Sequence, residues 1–194
     1  MDKKYELVSV SGVKDRYVIK ALRDFGNVKA GDLGGLISSE ANLSHEGNCW
    51  VYDHAFVFGQ AVVSENAEIR GYANIFGCAN VYGNALVSGN ATVRGSAAVS
   101  DNAMVYDDAV VAGCSIVRAD AKVYDLAIIA GNALICGKAD VSGRALISGN
   151  AIIGGVVCVS GFAEVGSSVE MLDSQKIYGG ICDNSVDSIK YVSM

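Results

Sequence analysis

Apolar residues recur at every sixth position through most of this chain. From Gly47 to Gly166, twenty six-residue units follow one another without insertion or deletion. The fifth place of each unit is Val or Ile, and the third is Ala except at Cys49, Ser115 and Val157. An amphipathic helix would repeat about every 3.6 residues, and a hairpin meander would place its turns at irregular spacings. The period therefore predicts a solenoid.

Three units predict one triangular coil. The backbone of each unit runs extended and then turns, so 18 residues close a coil that pairs in parallel with the next coil. Because successive side chains of a strand face opposite ways, the third and fifth places point inward and the fourth and sixth point outward. We predict an all-β fold, a single-stranded parallel β-helix of about seven coils with β-branched residues in its core.

The first two places of each unit carry turn residues. Gly or Asp commonly holds the first place and Asn often holds the second, and these residues tolerate positive φ. Asn48, Asn66, Asn84 and Asn102 are 18 residues apart and are expected to stack at one corner as a ladder of amides. We interpret this ladder as structural rather than as a binding site.

The two ends of the chain depart from the repeat. Residues 1–32 predict an N-terminal β-hairpin cap with strands over residues 5–10 and 16–22. Residues 33–178 hold the repeats, which are strict over 47–166 and preceded by a two-residue insertion, His45-Glu46. Residues 179–194 fall out of register and are expected to form a C-terminal cap or tail. Such caps cover the open strand edges of a solenoid.

Composition excludes several classes of function. The net charge is −6 and the isoelectric point is about 4.8, without the basic stripe that nucleic-acid binding requires. The first residues lack an apolar segment, so we expect neither a signal peptide nor a membrane interaction. Six cysteines without metal-type spacing are expected to be free thiols in the cytoplasm. Two histidines are too few for a three-histidine zinc site, and no metal site is predicted.

Aliphatic residues occupy outward places in the C-terminal half of the repeat. They fall on two adjoining faces of the coil, and a contiguous patch of this kind usually marks an interface. We name this set the apolar surface: Val110, Ile116, Ile128, Leu134, Leu146 and Ile152. We expect it to form a homo-oligomer with closed symmetry, a trimer first and a dimer as the alternative.

Aromatic residues concentrate near the N-terminal end of the repeat. They are Trp50, Tyr52, Phe56, Phe58, Tyr72, Phe76 and Tyr82. Large rigid rings often anchor interfaces, so this cluster is predicted to bind a partner protein. Packing against the N-terminal hairpin explains part of the cluster equally well.

Two stretches of the chain resemble a known family. The sequence FGNVKAGDLGG from Phe25 and the sequence LSHEGNCWVY from Leu43 look like the opening of the YdcK-like hexapeptide-repeat proteins of enteric bacteria. The GNAxVxGNAxV repeat resembles theirs throughout. The resemblance implies a left-handed β-helix and an acyltransferase label with no assigned substrate, and similar proteins occur in prophages.

Acyltransferases of this kind use a histidine general base, a task suited to a side chain that titrates near neutral pH. The candidates here are His54 and His45, with Asp53 placed to orient His54. The unbroken repeat leaves no looped-out pocket within one chain. We therefore favour a non-catalytic scaffold or protein-binding module without a cofactor. The alternative is an acyltransferase that uses acetyl-CoA or another acyl-CoA at a site between protomers.

Overall fold

The structure, a computed structural model, describes residues 3–182 and is all-β, with short strands joined by turns in stacked parallel coils. In chain order the first three strands are β1 (Tyr5–Ser9), β2 (Tyr17–Ala21) and β3 (Leu33–Ile37), followed by a single-turn 3-10 helix, Glu40–Asn42. From Trp50–Val51 to Lys176–Ile177, two-residue strands then recur every six residues. The predicted β-helix is confirmed.

The strands form three faces. The first face contains β4 (Trp50–Val51), β7 (Glu68–Ile69), β10 (Leu86–Val87), β13 (Met104–Val105), β16 (Lys122–Val123), β19 (Asp140–Val141), β22 (Cys158–Val159) and β25 (Lys176–Ile177). The second face contains β5 (Phe56–Val57), β8 (Asn74–Ile75), β11 (Thr92–Val93), β14 (Val110–Val111), β17 (Ile128–Ile129), β20 (Leu146–Ile147), β23 (Glu164–Val165) and β26 (Ile181–Cys182). The third face contains β6 (Val62–Val63), β9 (Asn80–Val81), β12 (Ala98–Val99), β15 (Ile116–Val117), β18 (Leu134–Ile135), β21 (Ile152–Ile153) and β24 (Glu170–Met171).

The first face has eight strands, so the solenoid makes about eight turns rather than the seven predicted. The irregular units after residue 166 keep the spacing and add β24 and β25. Strand β26 pairs with β23 by placing Ile181 opposite Glu164, one residue short of the regular spacing. The out-of-register tail therefore begins by continuing the second face. The rest of the predicted C-terminal cap lies outside the described residues.

The N-terminal hairpin extends the second face. Strands β1 and β2 pair antiparallel with Leu7 opposite Ile19, and β2 pairs antiparallel with β3. Strand β3 also pairs in parallel with β5, where Leu36 lies opposite Phe56. The hairpin and the first coil thus share one continuous sheet through β3.

Burial follows the place within the unit. From Cys49 to Val165, third-place and fifth-place side chains are at most 1% exposed, as the alternation predicted. Ser115, which replaces a third-place alanine, donates its hydroxyl to the carbonyl of Ala112 at 2.8 Å. Each unit also sends backbone N–H groups to the next coil, for example from Tyr52 to the carbonyl of Ile69 at 2.7 Å. The core is therefore apolar, and backbone hydrogen bonds join successive coils along the axis.

Every first place of the strict repeat has a left-handed backbone, with φ between 54° at Asp53 and 76° at Gly77. Most of these residues are glycine, which adopts positive φ without a steric cost. Ala119 is the exception that lacks both this freedom and a polar side chain, and its φ is 62°.

Ala119→Gly is expected to stabilise the fold by on the order of 0.5–1 kcal/mol. The left-handed conformation strains an alanine by roughly 1–2 kcal/mol, and the greater freedom of unfolded glycine offsets part of the gain. Ala121→Gly, two residues later at a buried third place, is the matched control and should lose about 1 kcal/mol. Urea unfolding gives the change in the free energy of unfolding for each variant. Destabilisation by Ala119→Gly would contradict the inferred strain in the left-handed backbone of Ala119.

Within residues 3–182, no helix has the length and apolar character needed to cross a membrane.

Candidate functional site

His45 belongs to the junction between the cap and the first coil. Its Nδ1 accepts the backbone N–H of Lys4 at 3.1 Å, and its Nε2 lies 2.8 Å from Oε1 of Glu40. Since Nδ1 is an acceptor, the ring proton lies on Nε2 and is donated to Glu40. The ring also stacks on Tyr5 with 4.3 Å between centroids. Both nitrogens therefore hold the cap in place, which leaves neither for a substrate.

Tyr5 completes this junction. Its side chain is fully buried, and its hydroxyl donates to the carbonyl of Leu43 at 2.7 Å. Burial raises the pKa of Tyr5 above its ordinary value, and the negative charge of Glu40 adds to the effect. The pKa of Glu40 is lowered by its hydrogen bonds to Lys3 and then to His45. The junction is thus a set of structural contacts around the first coil.

His54 and Asp53 lie side by side in sequence but do not act together. Oδ2 of Asp53 accepts the backbone N–H of Gly71 at 3.0 Å, whereas the exposed ring of His54 stacks on Tyr72 at 5.1 Å. Within residues 3–182 no hydrogen bond joins Asp53 to His54. The expected orientation of the imidazole by Asp53 is therefore not formed, and His54 remains as an exposed histidine at a corner.

Acidic first-place residues share one role that the sequence interpretation missed. Each carboxylate accepts the backbone N–H of the first place one coil later, at distances from 2.9 to 3.4 Å. The pairs are Asp53 with Gly71, Glu65 with Gly83, Asp101 with Ala119, Asp107 with Asp125, and Asp125 with Gly143. The sequence did contain a clue to this role, because these acidic residues stand at first places, where the turn requires a positive φ. These carboxylates serve the backbone rather than a ligand.

The predicted amide ladder is present at the corner between the third and first faces. Asn66 donates Nδ2–H to Oδ1 of Asn84 at 3.2 Å, and Asn84 donates in the same way to Asn102. The ladder continues to Asp120, which accepts from Asn102 at 3.1 Å. Stacked polar side chains therefore stabilise this corner, as expected.

The aromatic residues do not form one surface. Trp50 is 1% exposed, because Tyr5 and Phe25 of the N-terminal segment cover it at centroid distances of 6.1 and 5.2 Å. The prediction that its fourth place points into solvent is wrong, since the cap closes over the first face at this level. Trp50 is a core residue of the cap and cannot contact a partner protein.

The other rings divide among three corners. Phe58 stacks between Phe56 at 4.6 Å and Phe76 at 4.8 Å, and Arg16 lies 4.9 Å from the Phe56 ring. We name Phe56, Phe58 and Phe76 the phenylalanine stack, and its rings are half-buried. This stack lies at the junction of the second and third faces, where a partner can reach it.

The remaining tyrosines lie apart from the phenylalanine stack. Tyr52 packs under the guanidinium of Arg70 at 4.0 Å, and Tyr72 covers His54 at the same corner. Tyr82 lies at a different corner and is 38% exposed. It shares a groove with Ile116 and Leu134 of the apolar surface.

The apolar surface consists of one continuous stack of side chains on each of two faces. On the second face Val110 lies opposite Ile128, which lies opposite Leu146. On the third face Ile116, Leu134 and Ile152 pair in the same order. Ile116 is 41% exposed and Ile128 is 42% exposed, and the other four side chains are half-buried. The two stacks thus run side by side along three successive coils.

Comparison with known proteins supports the repeat assignment. Residues 79–95 and 97–113 each match the family repeat described as "YdcK Beta solenoid repeat". These two segments are therefore repeats of the YdcK solenoid type. Each matched segment is one residue shorter than an 18-residue coil. The resemblance drawn from the sequence is confirmed. A similar protein of Escherichia coli (strain K12), named "Uncharacterized acetyltransferase YdcK", is 52% identical over 42 residues. The match covers 21% of this chain and only 13% of the length of that relative.

Proposed function

We propose that this YdcK-like protein is a non-catalytic β-helical scaffold that self-associates through the apolar surface. The observation that carries the proposal is the pair of aliphatic stacks on two adjoining faces. Over three coils no outward fourth place on these faces is charged, although the chain has a net charge of −6. Glu164 and Glu170 follow directly in the two stacks and bound the surface.

The corner between the two stacks favours a second copy of the chain as the partner. Ala112 and Ala130 hold its sixth places, and Gly113 and Gly131 hold its first places. Small residues at a ridge allow another backbone to approach closely, with the aliphatic side chains packing on either side. A second copy also presents uncharged fourth places on these two faces, so charge repulsion does not oppose the contact.

The candidate catalytic residues support the same proposal. His45 uses both ring nitrogens within the cap, and Asp53 accepts from Gly71 instead of orienting His54. The phenylalanine stack lies at the same corner as the apolar surface and offers a place for another protein. A scaffold that presents rigid surfaces to other proteins therefore explains these side chains better than an enzyme active site does.

Leu134→Glu is expected to convert the oligomer to a monomer, because it places charges within the interface. Leu86→Glu is the matched control: Leu86 is also a half-buried leucine at a fourth place, but on the first face. Light scattering at micromolar concentration should give a trimer mass for the wild type and Leu86→Glu, with a dimer as the alternative. A monomeric wild-type chain would overturn the self-association.

The second candidate function is an acyl-CoA-dependent acyltransferase, favoured by the acetyltransferase name of the E. coli relative. In this case the exposed His54 would be the general base, with the acyl-CoA lying between protomers. Calorimetric titration with acetyl-CoA separates the two functions. The scaffold predicts no binding at millimolar acetyl-CoA, whereas binding that is lost in the oligomer-breaking Leu134→Glu variant would favour the transferase.

A further inference from the structure

Lys4 is fully buried where the N-terminal segment meets the first coil. Its Nζ donates to the carbonyl of Cys49 at 2.9 Å and to those of Glu46 and Gly47 at 3.4 Å, and it lies 5.0 Å from the centre of the Phe25 ring. Lysine is almost never fully buried unless it is paired. Within residues 3–182 Lys4 makes no ion pair with a carboxylate. The side-chain group that accepts a hydrogen bond from its Nζ is a thiol.

That thiol belongs to Cys49, whose Sγ lies 3.3 Å from Nζ of Lys4. Cys49 replaces the alanine usual at a third place and is itself fully buried. Its other polar neighbours are the carbonyl oxygens of Ser44 at 3.5 Å and of Glu46 and Val63 at 3.7 Å. Carbonyl oxygens do not displace the hydroxyl group of a sulfenic acid, so among these neighbours the Lys4 amine is the nucleophile that can react with the sulfur.

The environment also favours reaction of the amine. Burial lowers the pKa of Lys4, which increases the fraction of the neutral, nucleophilic form. Burial raises the pKa of Cys49, and the charge of Lys4 opposes that rise. A proton moving from Cys49 to Lys4 gives the thiolate, the form of the sulfur that peroxide oxidises. When Lys4 loses that proton again, it is the neutral amine that can attack the oxidised sulfur.

We propose that Lys4 and Cys49 form a modification site, in which hydrogen peroxide creates a covalent bond between Nζ and Sγ. In the first step the Cys49 thiolate attacks one oxygen of the peroxide and the O–O bond breaks, which gives a sulfenic acid. The departing hydroxide takes a proton from the Lys4 ammonium and leaves as water, so that the amine becomes neutral. In the next step the neutral amine attacks the sulfur, the S–O bond breaks and another water leaves. Overall, one thiol, one amine and one peroxide give one sulfenamide and two waters, with sulfur oxidised and peroxide reduced.

The bond would fasten the cap to the solenoid. Lys4 directly precedes β1, and Cys49 directly precedes β4, so the link joins two segments that are otherwise held by hydrogen bonds and packing. Thiols reduce a sulfenamide, so the fastening is reversible. Because both groups are buried, peroxide reaches them when the cap opens transiently, and the bond then keeps it closed.

The test is peptide mass spectrometry on the full chain after exposure to hydrogen peroxide and digestion without reductant. We expect a cross-linked peptide joining Lys4 to Cys49, about 2 Da lighter than the sum of its parts, that separates after thiol treatment. The same treatment of the chain unfolded in guanidinium should not give the link, because the two groups are then apart. This control needs no substitution that could prevent folding.

Two variants sharpen the result. Cys49→Ala restores the common third-place residue and should abolish the link, as should Lys4→Gln. Lys3→Gln removes the exposed neighbouring amine and should leave the link unchanged. Recovery of Cys49 unmodified while the exposed Cys78 is oxidised would overturn the proposal. So would a sulfinic acid or disulfide at Cys49 without the link, or a linked peptide that is about 14 Da heavier and retains an oxygen atom.

Discussion

Val111→Asp is expected to abolish cooperative folding of the central coils. Val111 is fully buried and stacks between Val93 and Ile129 of the neighbouring coils on the second face. A carboxylate there has no partner in an apolar core, and even its neutral form loses its hydrogen bonds to water. The cost is roughly 4 kcal/mol or more, a large part of the stability of an ordinary domain. Circular dichroism and urea unfolding measure the loss.

The adjacent variant, Val110→Asp, is the matched control. Val110 lies on the same strand but points outward as part of the apolar surface. We expect this variant to retain the fold and to lose self-association in light scattering. Unfolding by both variants would contradict the assignment of inward and outward places. A folded Val110→Asp variant that keeps the oligomer would contradict the proposed interface.

The coil could be predicted from the sequence because its contacts recur at a fixed sequence separation. Once Val51 and Val57 are placed inward, the period places every later valine and isoleucine of the series, and the stacking of Asn66 on Asn84 follows. The apolar surface could be placed on two adjoining faces for the same reason. The number of coils was underestimated because the units after residue 166 lose the sequence pattern while β24 and β25 keep the spacing.

The N-terminal end could not be predicted in the same way, because its contacts depend on the path of the cap. Trp50 occupies an outward place by the repeat, and only the position of Phe25 and Tyr5 makes it a buried residue. The same path brings Lys4 to Cys49 across 45 residues of sequence. No local pattern encodes that proximity, although a cysteine at an alanine place was a visible departure from the repeat.

The candidate catalytic residues also show which features the repeat pattern could predict and which it could not. Asp53 precedes His54 and suggested a catalytic pair, but the left-handed turn aims its carboxylate along the solenoid axis at Gly71. The recurrence of acidic residues at first places was the available clue. A side chain that accepts a backbone hydrogen bond from the next coil can recur wherever the coil repeats. A catalytic carboxylate has no reason to follow that period.

Gly35→Ala is expected to detach the cap from the first coil. Gly35 is buried in β3, the strand that joins the hairpin sheet to the solenoid. A Cβ at this position would lie 2.6 Å from the carbonyl oxygen of Ala55 and 2.9 Å from that of Tyr52. Both are backbone atoms held by hydrogen bonds, from the N–H of Leu36 to Ala55 and from the N–H of Ala55 to Tyr52, so they cannot rotate away. The expected cost is about 3 kcal/mol, at the upper end of overpacking effects.

Hydrogen exchange localises this effect, because loss of the β3–β5 pairing should expose amides of the hairpin while those of the central coils remain protected. Gly179→Ala is the matched control, since a Cβ there meets no atom within 4 Å. Equal protection of β1 and β2 in the Gly35→Ala variant and in the wild type would show that the cap does not depend on this close approach. Opening of the cap would also remove the cover over Trp50, so a red shift of its fluorescence should accompany the exchange.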